Sequence, residues 1–319
     1  MNEVLVGVDL GGTNLKAAVV SGADRVIAKL SRPTEEQNGP DHVIARIEHA
    51  IHDVITESGR SLGEVAAIGV GAPGLLDWRR GYVYSLTNMT GWTDIALGEI
   101  LQGRFKDVPC FVENDANAAC WGEFWLGAGR DVDTMCMLTL GTGVGGGIVV
   151  NGRLHRGIDG TAGEIGHMIV NRDGRQCGCG AHGCLEAYAS VTGLVRTALE
   201  RIDAGARSSL TEIADDLTGE LISQHADAGD PVAIEVVEDT AKWLGVGISV
   251  LIALLNPECV ALAGGMVAAG GRLLDTVRST VDKEALGVPA RRARVVLTEL
   301  GGDAGVIGAA GCALSRLQS

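Results

Sequence analysis

The chain has 319 residues, of which 46% are hydrophobic, so a disordered protein is excluded and two domains can form. Its formal net charge of −14 argues against a nucleic-acid partner, because phosphate binding requires a basic surface. The N-terminus lacks the features of a secretory signal, and no apolar segment reaches the roughly 20 residues that a membrane helix needs. We therefore expect a cytoplasmic protein without a membrane partner, whose eight cysteines are reduced.

Strand-like and helix-like segments alternate along the chain, which predicts an α/β fold. In VLVGVDLGGTNLKAAVV, residues 4–20, a Gly-Gly turn separates two apolar runs and predicts a strand–turn–strand unit. A helix follows, because apolar residues recur at helical spacing between residues 43 and 55. VAAIGVGAPG then predicts a buried strand and a turn, and VPCFVEND predicts a strand that leads into a helix from about Ala116.

The second half of the chain repeats this layout. MCMLTLGTGVGGGIVV, residues 135–150, is again two apolar runs around a glycine turn, and it ends at Asn151-Gly152, a strong hairpin signal. A long helix and the strands in CVALAGG and ARVVLTEL follow. The two halves therefore predict two copies of one architecture, with one domain formed by 1–129 plus 303–319 and the other by 130–302.

Each half contains a glycine turn of the kind that binds phosphate. DLGGTNLK is not a Walker loop, but such a turn can direct backbone N–H groups at phosphate oxygens while Asp9 helps to hold Mg²⁺. Gly141, Gly143 and Gly146 satisfy G-x-G-x-x-G, yet the β-branched residues after them predict a strand instead of the helix that a dinucleotide site requires. Either both are ordinary hairpin turns, or together they bind the phosphates of a nucleotide.

Asn114 and Asp115 lie where a predicted strand ends and a helix begins. Taken alone, such a pair is typical of a helix N-cap, which contributes about 1 kcal/mol. The alternative is that Asp115 is a general base, which accepts a hydroxyl proton while the hydroxyl oxygen attacks phosphorus. The two phosphate-binding turns are what make this second interpretation competitive.

The most specific signal is H-x9-C-x-C-x4-C, formed by His167, Cys177, Cys179 and Cys184. Three thiolates and one imidazole are the ligand set of a tetrahedral structural zinc site. Because four protein ligands leave no position for a catalytic water, hydrolysis by this metal is disfavoured. A redox cluster is the alternative, but the cysteines lack C-x-x-C spacing and His167 would have no role in it.

The motifs VDLGGTNLK, GAPGLLD, VENDANAA, LGTGVGGGI, GEIGHM and CGCGAHGCLEAYAS occur in this order over nearly the whole chain. Together they resemble the ROK family of sugar kinases, most closely its glucokinases. The resemblance implies the actin-like ATPase (ribonuclease H-like) fold, with two α/β domains about a central cleft. It also implies ATP, Mg²⁺ and a structural Zn²⁺ as cofactors, a sugar and a nucleotide as small-molecule partners, and a homodimer.

The resemblance further implies roles for individual residues. Asp115 deprotonates the 6-hydroxyl of the sugar, and His167 binds zinc through one ring nitrogen and a sugar hydroxyl through the other. The implied sugar-binding residues are Asn88, Asn114, Asp115, Glu164, His167 and Glu186. The implied nucleotide-binding residues are Asp9, Gly11, Gly12, Thr13, Lys16, Gly141, Thr142, Gly143, Gly264 and Gly265.

The implied activity is ATP-dependent phosphorylation of a hexose, glucose first, at its 6-hydroxyl. N-acetylmannosamine, N-acetylglucosamine and fructose stay open as substrates, and polyphosphate stays open as donor. The family also contains repressors with a DNA-binding helix-turn-helix, but the first strand here begins within a few residues of Met1 and the charge is acidic. A sugar sensor without activity is the last alternative, and the intact Asp115 argues against it.

Overall fold

The structure is a computed structural model that describes residues 4–21, 25–86 and 89–318. Two compact units are present. Unit 1 comprises Met1–Asp131, Leu154–Ala162 and Glu299–Ser319, and unit 2 comprises Val132–Arg153 and Gly163–Thr298. Within the three described ranges, no helix combines the length and the apolar character that crossing a membrane requires.

The strands, in chain order, are β1 (Val4–Leu10), β2 (Asn14–Ser21), β3 (Arg25–Pro33), β4 (Val65–Ala72), β5 (Leu75–Asp77), β6 (Tyr82–Ser85), β7 (Thr93–Ile95), β8 (Cys110–Asn114), β9 (Met135–Leu140), β10 (Val144–Val150), β11 (Arg153–Leu154), β12 (Cys259–Ala263) and β13 (Arg294–Leu297). The helices are α1 (Pro40–Glu57), α2 (Leu97–Arg104), α3 (Asp115–Leu126), α4 (Glu186–Ala189), α5 (Val191–Asp203), α6 (Gly219–Asp227), α7 (Pro231–Leu255), α8 (Gly270–Glu284), α9 (Gly287–Ala290) and α10 (Ala304–Leu317).

Unit 1 is built on a five-stranded sheet in the order β3-β2-β1-β4-β8. Strands β1 and β2 form the predicted antiparallel hairpin, in which Asp9 lies opposite Lys16. Strands β4 and β8 run parallel to β1. Helix α1 buries the predicted apolar face, from Val43 to Ile55, and the chain leaves it through Gly59 at a φ of 70°. The strand and helix predictions for this half are therefore confirmed.

Helix α10 packs so closely on the sheet of unit 1 and on α3 that backbone lies against backbone. Glycines in β1 and in α10 make this close packing possible. A Cβ on Gly7 of β1 would lie 1.9 Å from the carbonyl oxygen of Val306. A Cβ on Gly308 would lie 1.6 Å from the carbonyl oxygen of Ala118 in α3. Because no side chain fits at either position, the C-terminal helix, the sheet and α3 form one closely packed body.

Unit 2 has a five-stranded sheet in the order β11-β10-β9-β12-β13. An antiparallel hairpin, β9 and β10, continues into the parallel strands β12 and β13, as β1 and β2 continue into β4 and β8 in unit 1. Asn151 and Gly152, at φ values of 51° and 71°, form the predicted turn between β10 and β11. The prediction that the two halves share one architecture is therefore confirmed.

The boundaries of the predicted domains need correction. The second domain was predicted to comprise the whole of 130–302, but Leu154–Ala162 belongs to unit 1, as do 130–131 and 299–302 at its two ends. In Leu154–Ala162, Arg156 forms an ion pair with the buried Glu113 of β8, at 2.6 Å between Nε and Oε2. Arg79 also donates a hydrogen bond to the carbonyl of Ile158, at 2.9 Å. These contacts join residues distant in sequence, so no local pattern indicates them.

Candidate active site

Two carboxylates and a lysine lie near one edge of the unit 1 sheet. Because β1 and β8 both run parallel to β4, their carboxyl ends meet at the same edge, where Asp9 and Asp115 are found. Burial raises the pKa of Asp9 to about 6; Lys16 opposes this rise in pKa, and the nearby Asp115 adds to it. The structure thus brings three of the predicted site residues into electrostatic contact.

The raised pKa of Asp9 predicts a pH-dependent cost to stability. Its folded-state pKa of about 6 exceeds the value of 3.8 for a free side chain, so stability falls as pH rises through this window. Charging Asp9 in the folded protein costs on the order of 3 kcal/mol. We expect Asp9→Asn to raise the melting temperature in metal-free buffer at pH 8 and to leave it nearly unchanged at pH 4. An equal effect at both pH values would contradict this account.

Asn114 is the N-cap of α3, and Asp115 is the first residue of that helix. The side-chain oxygen of Asn114 accepts a hydrogen bond from the backbone N–H of Asn117 at 3.0 Å, and its amide donates to the carbonyl of Gly74 at 3.3 Å. The N-cap interpretation is therefore confirmed for Asn114. Asp115 Oδ1 accepts from the N–H of Ala116 at 2.8 Å, so its half-buried carboxylate is held at the start of the helix.

Glu113, which no sequence pattern identified, holds the backbone on which Asn114 and Asp115 lie. Glu113 is 5% exposed, and its carboxylate accepts from the N–H of Asn114 at 3.1 Å and the side-chain amide of Asn117 at 3.3 Å. Its other oxygen binds Arg156. Because buried carboxylates require such partners, the charge of Glu113 fixes the backbone that carries Asp115. The available signal was a glutamate inside an otherwise apolar strand.

The turn between β1 and β2 contains Gly11, Gly12 and Thr13. The Gly11 N–H donates to the carbonyl of Asn14 at 3.0 Å, while the buried Thr34 binds the carbonyls of Gly11 and Thr13 at 2.6 and 2.9 Å. Both carbonyl oxygens therefore accept hydrogen bonds within the protein, so their partial negative charges do not repel a phosphate at this turn. The ammonium of Lys16, on β2, donates to the carbonyl of Gly302.

The matching turn in unit 2 is held in the same way, by the start of α5. The carbonyl of Gly141 accepts from the N–H of Val191 at 2.9 Å, and the carbonyl of Thr142 accepts from the hydroxyl of Thr192 at 2.8 Å. Gly141 also donates to the carbonyl of Gly143 at 3.0 Å. Both glycine turns therefore have their carbonyls bound by a neighbouring segment.

Gly264 and Gly265 lie next to this second turn. Gly264 has a φ of 100°, and a Cβ on it would be 2.3 Å from the carbonyl oxygen of Leu140, the last residue of β9. Gly265 begins the short 3-10 helix Gly265–Ala269 and is exposed. The structure therefore brings together the nucleotide-binding residues that were predicted in unit 2.

The ligand atoms of His167, Cys177, Cys179 and Cys184 all lie within 4.8 Å of one another. Cys179 Sγ is 3.7 Å from Cys184 Sγ, and Cys177 Sγ is 3.8 Å from His167 Nδ1. A tetrahedral zinc with bonds of about 2.3 Å to sulfur separates its ligand atoms by about 3.8 Å. The four residues therefore fit a zinc ion.

Residues outside the ligand set hold the loop around this cluster. The hydroxyl of Tyr188 accepts from the N–H of Arg175 at 2.7 Å and from the side-chain amide of Asn171 at 3.2 Å. Gly183, at a φ of 79°, lies so close to Asn171 that a Cβ would be 1.6 Å from its carbonyl oxygen. Arg175 and Tyr188 could not be identified from the sequence, because neither residue type indicates a metal site.

Glu186 connects the cysteine cluster with the glycine turn. Its Oε2 accepts from the N–H of Val144 at 2.9 Å, and its Oε1 is 3.4 Å from Cys177 Sγ. A Cβ on Gly143 would lie 2.3 Å from Oε2, so a side chain there would displace the Glu186 carboxylate. Glu186 therefore has a structural role that the sequence did not indicate, beside its predicted role in sugar binding.

The remaining predicted sugar-binding residues divide between the units. Asn114 and Asp115 belong to unit 1, whereas Glu164, His167 and Glu186 belong to unit 2. Glu164 is exposed and precedes the 3-10 helix Ile165–His167. Asn88 lies outside the described residues.

Two sheets of the same strand order, each with a glycine turn between antiparallel strands, define an actin-like ATPase fold. The sequence matches the ROK family over residues 5–316. It is 40% identical to a glucokinase of Halalkalibacterium halodurans over 307 residues, covering 95% of this chain and 92% of the relative.

Solved structures give the same result. A ROK family glucokinase from Streptomyces griseus, in complex with glucose and AMPPNP, matches with a TM-score of 0.79 and 36% identity over 98% of this chain and 99% of that one. A ROK hexokinase from Thermus thermophilus matches with a TM-score of 0.83 and 32% identity over 99% of both chains. The chain therefore belongs to the ROK family, and the predicted fold class is confirmed.

Proposed function

We propose that this chain, an ATP-dependent sugar kinase, transfers the γ-phosphoryl group of ATP to the 6-hydroxyl of glucose. The observation that carries the proposal is the acidic edge of unit 1, where Asp115 begins α3 and interacts with Asp9. The relative of highest identity reported above is a glucokinase, and the S. griseus structure contains glucose with an ATP analogue.

In the proposed reaction, Asp115 accepts the proton of the 6-hydroxyl while the hydroxyl oxygen forms a bond to the γ-phosphorus. The bond from that phosphorus to the β,γ-bridging oxygen breaks, and ADP leaves with the electron pair. Phosphoryl transfer requires alignment and charge stabilisation more than covalent catalysis. We assign charge stabilisation to Lys16 and to Mg²⁺ held with the help of Asp9, and phosphate contacts to the two glycine turns.

We assign sugar recognition to Asn114, Glu164, His167 and Glu186. Fixed carboxylates and amides select a sugar because a missing hydroxyl leaves a desolvated polar group without a partner. Asn114 and Glu186 are already held by hydrogen bonds to the backbone, and such preorganisation lowers the entropy lost on binding.

We also propose that the Cys3His cluster binds zinc as a structural ion. When bound, zinc supplies four bonds that hold His167 and the cysteine loop in one arrangement. His167 would bind it through Nδ1, the nitrogen nearest Cys177, and would keep Nε2 for a sugar hydroxyl.

A coupled ADP-release assay over a panel of sugars tests this function. The panel contains glucose, fructose, N-acetylglucosamine and N-acetylmannosamine, with ATP as donor followed by ADP release and with polyphosphate as donor followed by formation of the sugar phosphate. We expect the highest kcat/KM with glucose and ATP. A higher value for another sugar would correct the substrate, and no sugar phosphate formed from either donor would overturn the kinase assignment.

A further inference from the structure

A pocket lined in part by polar side chains lies in unit 1, away from the sheet edge that carries Asp9 and Asp115. It has a volume of about 360 Å³ and is formed where the turn between β5 and β6 faces α2 and the beginning of β8. Asn114 and Asp115 lie at the opposite end of β8. Its polar lining comes from Trp78, Arg79, Arg80, Glu99, Gln102 and Arg316.

None of the three arginines of this pocket forms an ion pair with a carboxylate within 4.0 Å among the described residues, although the chain carries a formal charge of −14. Arg79 donates to the carbonyl of Ile158 and Arg316 to the carbonyl of Trp78, both at 2.9 Å. Each guanidinium has five N–H donors, so these bonds leave most of them available. Arg79 and Arg80 are exposed.

Positive charge is crowded around Trp78. The guanidinium carbons of Arg79, Arg156 and Arg316 lie 4.7, 4.4 and 4.6 Å from the centroid of its ring. Arg156 forms an ion pair with Glu113. Burial lowers the pKa of the Arg316 guanidinium, the positive charge of Arg156 lowers that pKa further, and the negative charge of Glu113 raises it in part. An anion in the pocket would offset this repulsion.

The other polar groups of the pocket restrict the kind of anion. Gln102 is already engaged, because its amide donates to the carbonyls of Lys106 and Val108 and its oxygen accepts from the N–H of Cys110. Glu99 is exposed at the rim. A carboxylate there accepts hydrogen bonds from hydroxyl groups and repels a second anionic group.

We propose that this pocket is a second ligand site, which binds the phosphate monoester group of a small hydroxylated metabolite. Guanidinium groups match the geometry of phosphate oxygens and bind them through paired, charge-assisted hydrogen bonds. The arginines bind the phosphate, and Glu99 binds hydroxyl groups of the remainder. This site is independent of the proposed function, since it uses no residue assigned to sugar or ATP.

Titration calorimetry on the whole protein tests the site, with inorganic phosphate and glucose 6-phosphate as probes added to protein saturated with glucose, so that the proposed sugar site is already occupied. The doubly substituted Arg79→Gln/Arg80→Gln protein removes two exposed charges, and Arg292→Gln removes an exposed arginine of unit 2 as a matched control. We expect the double variant to bind both phosphate probes at least about 10-fold more weakly and the control to bind them as the parent does. The turnover of the double variant should stay at the parent level, which separates this site from the catalytic one.

The two probes distinguish the sources of the phosphate group. Tighter binding of glucose 6-phosphate than of inorganic phosphate supports a sugar phosphate as the ligand, and equal binding supports recognition of the phosphate alone. Affinities that are unchanged in the double variant, or no binding of either probe by the parent, would overturn the proposal.

Discussion

Replacement of Asp115 by asparagine is expected to lower kcat by at least about 100-fold, while glucose binding stays measurable. Asparagine has nearly the same shape but cannot accept the proton of the 6-hydroxyl. The backbone at the start of α3 is held by hydrogen bonds from Asn117 N–H to the Asn114 side chain and from Asn114 N–H to Glu113, and both remain in the variant. The effect should therefore appear in kcat and not in folding.

The measurement is steady-state ADP release together with calorimetric glucose affinity and the melting temperature. Asp107→Asn is a matched control, because Asp107 is an exposed aspartate of the same unit. We expect the control to keep the parent kcat. If Asp115→Asn also turned over at close to the parent rate, another group would have to be the base.

Local patterns were sufficient to predict both glycine hairpins, the strands β4, β8, β12 and β13, and the cluster of one histidine and three cysteines, but they did not indicate β3, β5, β6, β7 or β11. Two apolar runs around glycines predict a hairpin wherever they occur, and four ligands within 18 positions of sequence identify their own cluster. The same local reasoning explains why Asn114 had two interpretations. Its position indicates a cap, which the structure confirms, and a cap does not prevent a role in binding.

Contacts between distant segments could not be predicted in this way. Glu113 and Arg156 are 43 positions apart, and their pairing depends on how Leu154–Ala162 packs on unit 1. Likewise, the contact of Glu186 with the N–H of Val144 spans 42 positions. A single sequence shows which residues are charged, but it does not show which charge lies opposite another.

The contacts of Glu186 make the cysteine loop, for which we propose a zinc ion, and the glycine turn mechanically dependent on each other. One oxygen of its carboxylate lies against Cys177 of the metal cluster, and the other binds the backbone just after Gly143. Displacement of Cys177 would therefore displace the carboxylate and, with it, the hydrogen bond that supports the turn. The residues of unit 2 that we propose for sugar binding and for nucleotide binding thus share one support.

Removal of zinc is accordingly expected to weaken glucose affinity by about 10-fold or more and to lower the melting temperature of the protein. At saturating glucose, kcat should fall less, because Asp115 belongs to unit 1 and the cluster to unit 2. Cys179→Ser should reproduce the effect without a chelator, since Cys179 is the exposed ligand and its replacement disturbs no core packing. Cys110→Ser, outside the cluster, is the control.

Metal content by mass spectrometry, glucose affinity by calorimetry and thermal unfolding should be measured on the same samples. A structural role requires the three quantities to change together and to recover when zinc is returned to the chelated protein. Retention of full glucose affinity by metal-free protein would show that Glu186 and the loop are held by protein contacts alone, such as those of Tyr188 with Arg175 and Asn171. A large loss of kcat with unchanged affinity would instead place the metal in the chemistry, which its four protein ligands oppose.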